Sequence, residues 1–405
     1  MRSGSTGVMV MSAPTAIDLE DLGLEAGGYL LVQRALRDLP VGGRLTVRGR
    51  DAALRVHLAA WSRSQGHQAD LAGAEPVVVK GSASSARWNR AERAGQPGPD
   101  GVVEHAEVRW GLAMRGALVE EGGPPLRVDL VDKDVVWADA ARQLYLNGTA
   151  RQWNPATEVH WDDAFYLPPE IEGAVVQVMT YLVENEYAAL QIPARFIARL
   201  HPHYREVIQV LAIQVADEAR HVEVFTRRAT LRSDEVGVSG AGGRASLQTL
   251  LDEPDFSLAA FLLSVLGEGS FLDLLAFIAS HAPDRVTREV ASLSLRDERR
   301  HVAFGMAHLR QAVDADRSML GRLRMAAERR HDALASTAGL NQDVYDSLVV
   351  LASHAWKPTS IATGWQAVQD LQRDMDQGRQ RRLTQLGFPG DEAAELSALH
   401  TRNFM

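Results

Sequence analysis

The sequence contains no cysteine. That absence removes disulfides, thiolate zinc sites, iron–sulfur clusters and cysteine nucleophiles together. Iron or manganese held by oxygen and nitrogen stays open. An excess of basic residues is lacking too. The 43 Lys and Arg against 52 Asp and Glu leave a formal net charge of −9, which argues against nucleic acid as the principal partner. No uninterrupted apolar run approaches the roughly 20 residues of a membrane helix. The opening Met1–Pro14 is rich in Ser and Gly and has no basic stretch followed by an apolar one, so it does not read as a secretion signal. The expectation is a cytoplasmic protein with neither membrane nor nucleic acid as partner. What is present is ordinary for a globular protein: 405 residues, 46% hydrophobic and 23% charged, sufficient for a sizeable core and more than one domain.

Residues 1–14 read as a disordered tail. Residues 15–80 read as a small α/β domain, with a helix at Leu30–Leu39, a strand at Arg44–Arg48, a second helix near Ala52–Gln65 and a buried strand at Pro76–Val79. Residues 81–165, rich in Gly, Ser, Arg and Pro at their start, read as a linker and mixed connecting segment. Within it, Glu107–Trp110 and Leu126–Leu130 look strand-like. From 166 to 375 helical periodicity dominates, over approximately Pro169–Leu200, Pro202–Leu231, Leu258–Ser280, Asp284–Ala312, Ser318–Ala335 and Gln342–Arg373. Residues 376–405 are polar, are broken by Gly387, Pro389 and Gly390, and read as a C-terminal tail. The fold class is mainly α, a helical bundle with extra C-terminal helices, preceded by the small α/β domain.

Two near-identical pentapeptides stand out: Asp217-Glu218-Ala219-Arg220-His221 and Asp297-Glu298-Arg299-Arg300-His301, starting 80 residues apart. Each sets a Glu and a His at i and i+3 on one helical face, where a carboxylate and an imidazole can grip one metal ion. A third Glu-x-x-His, Glu328–His331, lacks the preceding Asp and is crowded by Arg324, Arg329 and Arg330; it reads as a solvated helix face. Four-helix carboxylate proteins that hold two metals take one Glu from each of two helices and a Glu-x-x-His from each of the other two. Glu268 supplies one of these, since its helical neighbours Phe261, Val265, Phe271, Leu272 and Leu275 are apolar. Its flanking glycines imply close packing or room for a ligand. For the other, Glu186 shares its stripe with Val175, Met179, Leu182, Leu190 and Pro193. Glu184 lies on a mostly polar stripe and reads as a surface residue or one bordering the site. The ligand set is then Glu186, Glu218, His221, Glu268, Glu298 and His301. Its four carboxylates balance two divalent cations, iron or alternatively manganese. Asp217 and Asp297, each at i−4 to the His of its own motif, are placed to accept that imidazole's other N–H, with Arg220 and Arg300 beside them. His201 and His203 read as helix caps, and His308 as a polar core residue.

These motifs resemble the ferritin-like superfamily, in the branch holding di-iron monooxygenase hydroxylases, ribonucleotide reductase small subunits and acyl desaturases. Asn185-Glu186-Tyr187-Ala188-Ala189 resembles the Gly-Glu-Tyr-Ala-Ala ligand helix of bacterial multicomponent monooxygenases. The resemblance covers about Pro168–Leu309 and implies a ferritin-like four-helix bundle with a di-iron site. Arylamine N-oxygenases carry a further His four residues before the last Glu ligand; Ser294 stands there, which disfavours that subgroup. Arg34–Leu39, Gly43–Val47 and Asp51–Trp61 are similar to the TusA-like sulfur-carrier fold. That fold acts through a Cys-Pro where this chain has Glu25-Ala26, so the domain implied is a docking or dimerisation module.

The function expected is that of a non-heme di-iron oxygenase, activating O₂ as co-substrate to oxidise a small organic molecule by hydroxylation, N-oxygenation or desaturation, with an external electron donor. Ala189, Leu190, Phe225, Phe261, Phe271 and Leu272 are the candidates for its substrate pocket. The alternatives are a ferroxidase or other metal-handling protein, and a radical-generating subunit, for which Tyr187 is the adjacent tyrosine.

Overall fold

The computed structural model describes residues 15–82, 88, 90–335 and 342–401. The sequence's N-terminal tail lies outside them. The chain divides into two compact units, 1–102 with 109–126, and 103–108 with 127–405.

In the first unit, β1 (Ala16–Asp18), α1 (Gly28–Arg37), β2 (Arg44–Arg48), α2 (Leu54–Ser64), β3 (Gln68–Asp70) and β4 (Val77–Val79) form a sheet in the order β1-β2-β4-β3. The β1–β2 pair is parallel, with Ile17 opposite Val47; both other pairs are antiparallel and place Val78 opposite Leu45 and Ala69. Alternation in β2 sends Leu45 and Val47 inward, where they pack with Val32, Leu36, Leu54, Leu58 and Val78. A short hairpin, β5 (Glu92–Arg93) with β6 (Leu118–Val119), completes this unit.

In the second unit, α3 (Lys133–Val136), α4 (Ala141–Ala150) and α5 (Pro155–Glu158) precede the long helices α6 (Pro169–Ile197) and α7 (Arg205–Ala229). After α8 (Ala241–Leu251) and α9 (Phe256–Ala260), a π-helical segment at Phe261–Gly267 runs into α10 (Glu268–His281), followed by α11 (Arg285–Ala315). The four core helices are α6, α7, α10 and α11, forming two hairpins, α6–α7 and α10–α11, that pack together through α7 and α11. Each hairpin turn is tight: His201 Nδ1 accepts from His203 N at 3.1 Å before α7, and Asp284 caps α11 by accepting from Thr287 N at 2.8 Å. His203 does not cap; its Nε2 accepts from Val103 N at 3.0 Å. At one end of the bundle the fully buried Arg228 of α7 ties Glu172 of α6 (2.7 Å) to Asp284 (2.9 Å).

Four expectations from the sequence need correction. Residues 127–165 belong with the bundle and are not a connecting segment, because Trp153, Val159 and Trp161 anchor them in its core. The strand-like pieces expected within 81–165 are not strands: Val108–Trp110 is a 3₁₀ turn, and Leu130 makes only an isolated bridge to Leu200. The helix read at Gln342–Arg373 is two helices, α13 (Gln342–Ser353) and α14 (Pro358–Leu386), after α12 (Met319–Leu334); His354 takes a positive φ of 53° between them. Residues 376–401 are no tail. The Gly387–Gly390 break is a turn, with Gly387 at φ 108° closing α14, and α15 (Gly390–Thr401) follows. Leu383, Leu386, Phe388 and Leu396 are buried.

The stretch Phe256–His281 is also long and apolar enough to cross a membrane by length and composition. Its apolar window is 78% buried inside the protein, and it carries Glu268. It is a core element of the bundle.

Candidate metal centre

Glu186 on α6, Glu218 and His221 on α7, Glu268 at the start of α10, and Glu298 and His301 on α11 come together, all buried. They form two groups that share Glu218 and Glu298: Glu186, Glu218, His221 and Glu298 in one, and Glu218, Glu268, Glu298 and His301 in the other, with donor atoms within 4.8 Å of one another. His221 Nδ1 lies 2.9 Å from Glu218, 3.3 Å from Glu298 and 3.8 Å from Glu186. His301 Nδ1 lies 2.9 Å from Glu218 and 3.4 Å from Glu298. Among the described residues no other group of His, Asp and Glu converges in this way. Glu328 instead pairs with Arg324 at 2.8 Å on a partly exposed face, although its neighbour Arg330 turns inward to Ser246 and Thr249.

The donors are aimed at a common space rather than at hydrogen-bond partners. Glu186 Oε1, Glu218 Oε1, Glu268 Oε2, both oxygens of Glu298 and His301 Nδ1 are buried without a partner in hydrogen-bonding geometry. Such atoms are costly unless something cationic meets them. Six orphaned oxygen and nitrogen donors suit two iron or manganese ions. Burial, together with the neighbouring Glu218 charge, pushes the Glu186 carboxyl well above its ordinary range, and burial with the Glu298 charge does the same to Glu268. Burial opposes protonation of His221 and His301, but surrounding carboxylates overcome it and raise both well above the ordinary imidazole value. Glu218 moves the other way, held low by the two histidines against its burial.

Each imidazole turns its Nε2 away from this space toward an aspartate. The aspartate is not the one of its own motif. His221 Nε2 lies 3.4 Å from Asp297, and His301 Nε2 lies 3.2 Å from Asp217. The i−4 expectation therefore fails because α7 and α11 lie side by side: the Asp that starts one pentapeptide stands beside the His that ends the other. Arg300 bridges the two aspartates at 2.7 and 2.8 Å, and Arg220 also contacts both, Asp297 at 3.2 Å. Trp153 Nε1 donates to Asp297 at 2.6 Å and Gln152 donates to Asp217 at 3.1 Å. Gln214 donates to Glu268 at 2.9 Å. Gln214 was legible, lying one turn before Glu218 on the same stripe; Gln152 and Trp153 had no local signal. The exchange has a measurable consequence. Asp297→Asn should weaken the ion held by His221 about 10- to 100-fold while sparing the one held by His301, and Asp217→Asn should do the reverse. Stepwise Co²⁺ titration followed by absorption reads both, and loss of the His301 ion in Asp297→Asn would sink the crossed assignment.

Beside the centre is a small apolar cavity of about 30 Å³, bordered by Asn185, Glu186, Ala189, Leu247, Leu250, Leu263, Gly267, Glu268, Phe271 and Glu298. Of the expected pocket residues, Ala189 and Phe271 border it. Phe225 packs by the His221 ring, with centroids 6.2 Å apart, Phe261 is fully buried in the π segment, and Leu190 and Leu272 are half-buried; none of the four borders the cavity. Their place is taken by Leu247 and Leu250 of α8, a short helix whose Gly-rich start carries little helical signal in the sequence. Tyr187 is 50% exposed and belongs neither to the ligand groups nor to the cavity wall. His308 is a core residue, bonded to Ser257 Oγ and Trp137 O, both at 2.9 Å.

No protein-family model matches the chain, and no curated protein does. Among solved structures, an R2-like ligand-binding oxidase with aerobically reconstituted Mn/Fe cofactor is similar at 17% identity over 66% of this chain and 91% of its own, with a TM-score of 0.41. An R2-like ligand-binding oxidase from Sulfolobus acidocaldarius is similar at 15% identity over 62% of this chain and 93% of its own, with a TM-score of 0.40. Likenesses this distant leave the chemistry to be read from the side chains.

Proposed function

We propose that this chain is an O₂-dependent oxidoreductase that uses two bound iron or manganese ions to oxidise a small organic substrate. The observation that carries this reading is the convergence of six buried donors from four helices, five of their carboxylate oxygens without a hydrogen-bond donor, at the edge of an apolar cavity. Glu186, Glu218, His221, Glu268, Glu298 and His301 would hold the ions, which when bound supply the redox chemistry toward O₂. The protein's part is to fix the imidazoles through Asp217 and Asp297, neutralise the pair with four carboxylates, and exclude water. Leu247, Leu250, Leu263 and Phe271 line this small cavity with apolar surface, which suits an apolar group near the ions better than the passage of hydrated metal. Electrons come from an external donor, and the N-terminal α/β unit, which we read as a TusA-like module without its cysteine, serves docking or dimerisation.

Anaerobic loading with ferrous ion followed by rapid mixing with O₂ tests this. The protein should take up near two ions per chain and consume O₂, and a small apolar substrate should speed the reaction and be recovered oxidised. Accumulation of ferric product at a rate indifferent to any substrate would establish the ferroxidase instead. Uptake well short of two ions would end both readings.

A further inference from the structure

The second half of α14 packs against the π segment and α10, which precede and carry Glu268, and α15 packs on α14. Arg379 and Arg382 stand three residues apart on α14 and face the seam where the π segment passes into α10. There the main chain changes register, and the amide of Glu268 reaches both Leu263 O and Ser264 O. Arg382 Nε donates to Val265 O at 2.9 Å. Arg379, only 2% exposed, donates from Nη1 to Ser270 Oγ at 2.9 Å, and that hydroxyl donates to Leu266 O at 2.8 Å. Two consecutive carbonyls just before Glu268 are thus engaged by side-chain donors, one directly and one through Ser270.

Gly269 belongs to the same arrangement. A Cβ at that position would overlap Nε and Cζ of Arg382, so the glycine beside Glu268 makes room for a guanidinium. Arg379 is held in turn by α15: its Nε donates to Ser397 Oγ at 3.2 Å, and Ser397 Oγ donates to Asp376 Oδ1 at 2.6 Å. A buried arginine is an expensive way to fill space. A guanidinium that collects main-chain carbonyls fixes a backbone path that apolar packing alone would leave free to slip by one residue.

We propose that Arg379 and Arg382 are positioning residues that fix the register of the π-to-α seam and so set the place of Glu268 in the centre. The proposal rests on the metal reading given above. Its first test needs no metal. In hydrogen–deuterium exchange of the full-length, metal-free chain, Arg382→Ala and Arg379→Ala should each speed exchange of peptides spanning 262–272 by about tenfold or more, with α7 peptides around 214–222 unchanged. Arg382→Lys, which keeps a donor, should restore part of the protection and covers the case in which the alanine variant folds poorly. Gly269→Ala should reproduce most of the Arg382→Ala effect by displacing the guanidinium, and should add little in the Arg382→Ala background. The second test is stepwise Co²⁺ titration. Arg382→Ala should weaken one of the two binding steps, that of the group containing Glu268, by about tenfold or more, and leave the other within about twofold.

Unchanged exchange at 262–272, or exchange raised equally across the bundle, would overturn the clamp. Locally raised exchange with both Co²⁺ steps intact would overturn the positioning role and leave a purely structural one. If the unaltered protein binds no pair of ions, the metal reading falls, and the exchange result alone decides whether the seam is clamped.

Discussion

Glu298→Ala is expected to empty both metal positions at once. Glu298 belongs to both ligand groups, with one oxygen 3.3 Å from His221 Nδ1 and the other 3.4 Å from His301 Nδ1. Its loss therefore removes a ligand from each ion and takes away one of four balancing negative charges. Metal content after anaerobic loading should fall from near two per chain to a small fraction of one, and O₂ uptake should fall at least about 10³-fold. Glu268→Ala, by contrast, touches only one group and should leave one ion bound. Glu184→Ala and Glu328→Ala should leave two. The metal-free protein gives a second signature. Truncating a buried core leucine costs about 2–5 kcal/mol, whereas removing one of several crowded carboxyls relieves desolvation and repulsion. The melting temperature of metal-free Glu298→Ala should therefore equal or exceed that of the unaltered protein, the usual sign of a residue kept for function rather than stability. Retention of one ion per chain in Glu298→Ala would refute the bridging role.

Metal affinity should rise steeply with pH, and the stability of the metal-free protein should fall. The signs follow from linkage. Glu186, Glu268, His221 and His301 all have folded-state values raised well above their ordinary 4.5 and 6.5. Each then binds its proton more tightly folded than unfolded. The stability it contributes is fully present below the unfolded value and is lost as pH rises toward the folded one. Asp217, Glu218 and Asp297 are lowered, and their contribution is lost as pH falls below the ordinary carboxylate range. The metal-free protein should thus melt progressively lower from about pH 4.5 upward, and more steeply once the pH passes about 6.5. Metal ions compete for the same four protonated groups, so loading releases up to four protons. Each proton released per ion strengthens apparent affinity about tenfold per pH unit. Calorimetric titration in buffers of different ionisation enthalpy counts them directly; a count near zero would mean that these donors do not take up the ions.

The helices and the six convergent residues were legible because both rest on periodicity. Glu186 and Glu268 could be picked out, and Glu184 set aside, from the apolar residues at i±3, i±4 and i±7 alone. Periodicity says which face of a helix is buried and nothing about what faces it. The Asp–His pairing was therefore assigned within each helix, when the distances run between α7 and α11. The same limit hid Trp153, which reaches Asp297 from 144 residues away. The cavity walls were missed for another reason: Leu247 and Leu250 lie on a short helix opened by Gly240, Gly242 and Gly243, whose composition reads as a loop. The C-terminal helices were lost to the Gly387–Gly390 break, a composition that suits a turn between two helices as well as the end of order.

The crossing of the aspartates has a consequence for how such a centre comes to exist. Each helical hairpin brings one carboxylate helix and one Asp-Glu-x-Arg-His helix, yet neither contains an aspartate placed to orient its own histidine. A single hairpin is therefore chemically incomplete, and two identical copies brought face to face would complete each other. With both copies in one polypeptide that encounter is intramolecular. Whether the centre is assembled then does not depend on how many molecules of the protein a cell contains, and the two halves need not be identical: Ala219 in one motif stands where Arg299 stands in the other.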